Sequence, residues 1–153
     1  MTGRLIATIL VVGFGYLVAV CVAVVVTVAL IFAPSALPDD GANGALFSLL
    51  GDLPFILAVG FFWTFSCALP GFVVAVLWGE SERWEHWWAY AVAGLANAAS
   101  SLAIFGVFVG SPFEMPSMVA ASFAGGFAGG AAYWFSAGRL VARRRAVASA
   151  DVA

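Results

Sequence analysis

The side chains able to do chemistry in this chain are few, and they avoid its apolar stretches. The four long apolar runs, 5–32, 53–78, 87–109 and 115–138, contain no Asp, Glu, Lys, Arg or His. Ionisable residues inside such runs are what proton relays, ion pathways and intramembrane catalysis use, so their absence argues against proton-coupled transport. It also removes carboxylate pairs and nucleophile–base dyads, because the serines and threonines of the runs have no base beside them. His86 is the only histidine, which excludes a bis-histidine haem within one chain. It ends the charged stretch Gly79–His86, where a solvated or headgroup-facing ring is the simple reading. The other reading, a membrane enzyme or redox subunit holding a cofactor with partner chains, rests on this one residue. Cys21 and Cys67 show neither C-x-x-C nor a Cys/His metal spacing and read as small apolar residues. No catalytic residue, cofactor or metal is assigned, and the chain is read as a non-enzyme.

What remains is uncharged polarity within the third run, at Asn97, Ser100 and Ser101. These residues form the candidate intramembrane polar site. Asn97 either binds a substrate or hydrogen-bonds a neighbouring helix, a bond worth roughly 0.6–2 kcal/mol. A cavity shared by Asn97, Ser66 and Ser122 would favour the first. In the second run Pro70 removes the donor that the Ser66 carbonyl expects, so Pro70 and Gly71 predict a kink, serving as a hinge or re-satisfied by neighbours.

These residues must be positioned by helices in lipid. The chain has 153 residues, 64% of them hydrophobic and only 9% charged, with a mean hydropathy of +1.08. Soluble domains carry about 25% charged residues, and a water-soluble fold of this length could not hide so much apolar surface. The fold class is therefore all-α, a polytopic four-helix transmembrane domain over 1–138 with a short basic tail, 139–153. The first run exceeds a signal-peptide core and is read as a retained span ended by Pro34. Residues 34–52 read as a loop with turn chemistry at Pro38–Gly41 and Asn43–Gly44. Asp52 then caps the second helix, and Pro54 lies in its first turn. The third helix is expected to start near Ser81 or Glu82. The fourth starts from a Ser111–Glu114 capping box or, with Pro116 in its first turn, nearer Met115.

The fourth helix carries rows of small residues four apart: Ala121, Gly125 and Gly129 in one, Ser122, Gly126 and Gly130 in the next. Residues at that spacing share a helix face, and small-xxx-small rows let helix backbones approach in lipid. The rows serve packing inside one bundle, or self-association or contact with other membrane subunits. Their G-G-x-x-G-G pattern has no P-loop lysine, so nucleotide binding is not expected.

Orientation follows from charge. All six basic residues are arginines: Arg4, Arg83, Arg139, Arg143, Arg144 and Arg145. They fall at the N-terminus, between the second and third runs, and in the tail. The other two connections hold none. The positive-inside rule then places both termini in the cytoplasm. Arg139, Arg143, Arg144 and Arg145 attract anionic lipid headgroups or simply fix topology. Trp84, Trp87, Trp88, Tyr133 and Trp134 read as interface anchors. The arginine-only basic set fits a GC-rich bacterial genome and the bacterial inner membrane. The partner is the lipid bilayer, with no nucleic acid.

The end of the fourth helix, G-G-A-A-Y-W-F-S-A-G-R from Gly129 to Arg139, resembles the Y-W-x-x-A-G-R ending of small uncharacterised inner-membrane proteins of alphaproteobacteria. The resemblance covers one helix end and implies location and topology. Two functions are expected: an accessory, assembly or structural subunit of a membrane complex that packs through small residues, or a small transporter, channel or lipid-handling protein for a neutral or amphipathic substrate.

Overall fold

The computed structural model describes residues 2–32, 42–81, 86–108 and 115–141, and every described element is helical. Helix α1 runs Thr2–Phe32, α2 Ala42–Ser81, α3 Trp87–Phe108 and α4 Pro116–Tyr133, and α4 passes directly into a π-helical turn, Trp134–Gly138. Among the described residues, three segments are long and apolar enough to cross a membrane: Ile6–Phe32, Gly51–Gly79 and Trp87–Val107. Helix α4 is the exception, being short and dominated by glycine, alanine and serine. Pro116 to Gly138 nevertheless covers roughly 33 Å at about 1.5 Å per residue, comparable to the thickness of a hydrocarbon core.

The start of α2 and the α2–α3 boundary differ from expectation, and the start of α4 takes the Met115 alternative. Helix α2 begins at Ala42, so Asn43, Gly44 and Asp52 lie inside it rather than in a turn and a cap. The apolar segment Ala45–Leu50 continues the helix, and neither Pro54 nor Pro70 breaks it. Ser81 ends α2, and α3 starts at Trp87, because α2 runs on past Gly79. Helix α4 has Met115 as its N-cap with no side-chain cap bond, and its proline lies in the first turn, where a missing N–H costs nothing. Ser111, Glu114, Pro34, Trp84 and Arg143–Arg145 lie outside the described residues.

Packing is uneven, and the unevenness shapes the molecule. Helix α4 lies between α1 and α3 and packs most closely on both, while α1 and α3 make no substantial contact with each other. The two glycine rows divide the work. A Cβ on Gly125 would meet Thr27 and lie 2.7 Å from the Ala23 carbonyl oxygen, and one on Gly129 would lie 2.8 Å from that of Ala19. This row faces α1. A Cβ on Gly126 would lie 2.5 Å from the Gly94 carbonyl oxygen and 2.7 Å from Ala98 Cβ, and one on Gly130 2.9 Å from Ala91 Cα. That row faces α3. Real Cβ atoms do not come so near, so both contacts are backbone on backbone.

The α1–α2 seam is built differently. Tyr16, Val20, Val24 and Ala68 form its buried centre, with Leu57, Phe61, Phe65 and Phe72 packed around them. Larger side chains hold helix axes farther apart. Helix α2 packs on α1 and α3 and meets α4 chiefly through Phe72, whose ring stands edge-on to Tyr133 at 5.1 Å.

The π turn keeps the buried stripe of α4 in phase. Ala121, Gly125, Gly129, Tyr133, Ala137 and Gly138 are its buried residues. A step of four residues overshoots an α-helical turn by about 40°, so such a row drifts around the helix. The wider π turn takes up extra residues per turn and returns Ala137 to α1, against Gly15. The Ser136 hydroxyl donates to the carbonyls of Ala132 and Tyr133 at 2.8 and 3.2 Å, stabilising this turn.

Candidate functional site

Close packing on two sides of α4 and wide packing of α2 leave a space between them. The cavity has a volume of about 550 Å³ and is walled by all four helices. This size falls in the range of small-molecule sites. Its wall is mostly apolar. Polar side chains line it from α1 (Tyr16, Thr27), α2 (Thr64), α3 (Tyr90, Asn97, Ser101) and α4 (Ser122, Tyr133).

Asn97 occupies the α3 wall and reaches α2, where its Nδ2 donates to the Ala68 carbonyl at 3.2 Å. This bond fixes the amide, since a flipped group would set two oxygens against each other. Asn97 Oδ1 then lies over Gly71, where any Cβ would collide with it. This oxygen is buried and accepts no hydrogen bond. The amide thus spans Pro70, touching α2 before and after it. On the other flank of the same turn, the Tyr16 hydroxyl donates to the Phe65 carbonyl at 2.6 Å. Side chains from two helices therefore engage the backbone around the proline, whose missing N–H leaves the Ser66 carbonyl without its helical donor.

The predicted polar trio divides. Asn97 and Ser101, one turn apart on α3, line the cavity. Ser100 is exposed and donates to the Ala96 carbonyl at 3.0 Å. Ser122 joins Asn97 and Ser101 at the cavity wall, and Ser66 does not, donating instead to its own helix at Phe62. The test set by the sequence thus gives a mixed answer. Asn97 both bonds a neighbouring helix and shares a cavity with Ser122.

An aromatic layer lines the cavity toward the start of α3 and the end of α4. Tyr16 lies 4.4 Å from Phe72, Phe72 5.1 Å from Tyr133, and Tyr133 5.5 Å from Tyr90, between ring centroids. Tyr133 corrects an expectation. It is 5% exposed and faces the bundle interior, not a lipid interface, because it is the next step in the row Ala121–Gly125–Gly129. Trp134 is half-buried with its ring 5.4 Å from Tyr90. Trp87 and Trp88 are exposed, as is Arg139. Sequence reading missed Tyr16 and Thr27. Their signal was available, since a hydroxyl inside a membrane-length apolar run needs a partner. Thr27 finds one in the Ala121 carbonyl at 3.3 Å.

Cys21 and Cys67 are free, and among the described residues no group of three His, Cys, Asp or Glu side chains could hold a metal ion. No protein-family model, curated protein or solved structure matches the chain.

Proposed function

We propose that the protein is a four-span bundle of the bacterial inner membrane that holds a neutral, lipid-like molecule in its central cavity, as a small transporter or lipid-handling protein. The observation that carries this reading is the 550 Å³ cavity walled by four helices, apolar except for uncharged side chains. A small amphiphile matches such a wall, and a charged solute would go uncompensated in it. Helix α4 is the fourth span, shielded by α1 and α3 and so needing less apolar surface of its own. The arginine distribution supports cytoplasmic termini.

The accessory-subunit reading drew on the glycine ladder. Both rows of that ladder are occupied within the chain, so the ladder does not favour a partner over a guest molecule.

Native mass spectrometry of the protein released from its own membrane tests the proposal. One apolar guest per chain is expected, lost in Gly60→Leu. Gly60 lines the cavity, and a Cβ there makes only an ordinary 3.4 Å contact with Val24, so the added leucine fills space without displacing backbone. A chain that carries no guest and leaves the membrane in fixed ratio with foreign subunits would overturn the proposal in favour of the accessory role.

A further inference from the structure

The cavity is long rather than round. It is lined from Tyr16 to Ile31 along α1, from Tyr90 to Phe105 along α3 and from Met118 to Tyr133 along α4. Each of these stretches rises roughly 22 Å at about 1.5 Å per residue. The stretches are in register. At one end the Tyr133 ring meets Tyr90 and Phe72, with Tyr16 beyond, and toward the other the Thr27 hydroxyl reaches the Ala121 carbonyl. The cavity therefore runs parallel to the helices and is longer than one leaflet, half of a hydrocarbon core about 30 Å thick.

Its width follows from two adjacent glycines. Gly129 brings the backbone of α1 against α4 at Ala19, Gly130 brings that of α3 against it at Tyr90 and Ala91, and both glycines line the cavity. Consecutive residues point about 100° apart on a helix, so α1 and α3 flank α4 at roughly that angle. With each axis about 8 Å from that of α4, the close end of helix packing, the α1 and α3 axes stand roughly 12 Å apart. Helices in contact stand about 8–10 Å apart. The excess explains why α1 and α3 make no substantial contact. At roughly 2–4 Å it admits one file of methylene groups, whose carbons meet neighbours at about 3.5–4.0 Å, and not two. Gly126, Gly129 and Gly130 give this lane a floor without side chains.

Resting on the reading of the cavity as a binding site, we infer that its guest is a neutral single-chain amphiphile, held with its hydrocarbon chain extended along the bundle between α1 and α3. A branched chain of equal carbon number is shorter and broader than this lane. The wall carries no charged side chain, so neither a carboxylate nor an ammonium head is compensated there.

The test uses the full chain in lipid nanodiscs and two photoactivatable probes. Both are saturated primary alcohols whose extended length matches the cavity, one with a diazirine beside the hydroxyl and one with it at the far end of the chain. Labelling that excess unlabelled alcohol removes is mapped by residue. The two probes are expected to label opposite ends of the cavity, one at Tyr16, Tyr90 and Tyr133 and the other at Ile31, Phe105 and Met118. A branched isomer of equal carbon number should compete on the order of 10-fold less well than the linear alcohol, as overpacking of a filled space gives. Labelling of one level of the cavity by both probes, or equal competition by the branched isomer, would overturn the extended single file and leave the binding site standing. Competable labelling found only on lipid-facing residues such as Phe62 and Leu77, or none at all, would overturn the binding site, and this inference with it.

Discussion

Tyr16 of α1 donates its hydroxyl to the carbonyl of Phe65 in α2 at 2.6 Å, four residues along the helix from Leu69 and one turn below Pro70. The ring of the same tyrosine packs against Phe65 and Phe72 at 5.2 and 4.4 Å. One side chain thus fastens the proline-containing turn by both polarity and contact. Tyr16→Phe should keep the ring and lose the bond, lowering stability by about 0.5–1.5 kcal/mol. Tyr16→Ala should cost about 3–5 kcal/mol by analogy with large aromatic truncations. Reversible denaturation in mixed micelles checks both, and equal losses would mean that the hydroxyl carries the effect.

The glycine rows predict a sharp positional contrast. Gly126→Ala forces a methyl against the Gly94 carbonyl and Ala98, and overpacking of this kind costs about 1–3 kcal/mol. Gly125→Leu and Gly129→Leu should be worse, since α1 presents its backbone there. Gly13 has nothing within 4 Å of a built Cβ, so Gly13→Leu should melt with the wild type. Thermal unfolding in detergent separates the positions. Wild-type behaviour of all the variants would mean that α4 does not pack as described.

Gly71 and Asn97 should behave as a coupled pair. A methyl at Gly71 collides with Asn97 Oδ1, so Gly71→Ala is expected to destabilise by about 1–3 kcal/mol. Adding Asn97→Ala removes the obstacle, and the double variant should lose less than the sum of the singles, with a coupling of about 0.5–3 kcal/mol. Strict additivity in a double-mutant cycle would place the amide elsewhere.

Topology is checked by reporter fusions. A fusion after Arg145 should report cytoplasm, and one near Asn43 the opposite side. The reverse pattern would contradict the arginine argument.

Much of this arrangement was legible in the sequence. The all-helical class followed from apolar runs of membrane length, and the α4 rows were visible as glycines four apart. The side each row faces was not, because a spacing of four identifies a helix face but not its neighbour. The start of α2 was misread because Asn43–Gly44 is strong turn chemistry, and helical context overrode it. The cavity was out of reach. It arises from the difference between a backbone seam at Gly94–Gly126 and a side-chain seam at Tyr16–Phe65, and neither seam is local in sequence. Tyr133 was misplaced because a tyrosine beside a tryptophan and an arginine fits an interface as well as the end of a packing row.

The position of α4 between two helices that barely meet has a consequence for biosynthesis. Chain order places α1, α2 and α3 ahead of α4, so a growing polypeptide emerges without the element that joins its first and third helices. Until α4 is made, the small residues Ala19, Ala23, Gly94 and Ala98 have no glycine row to receive them. Closure of the bundle therefore waits on α4, and a nascent chain stalled before Pro116 should remain open to proteases, where one that includes α4 is closed to them.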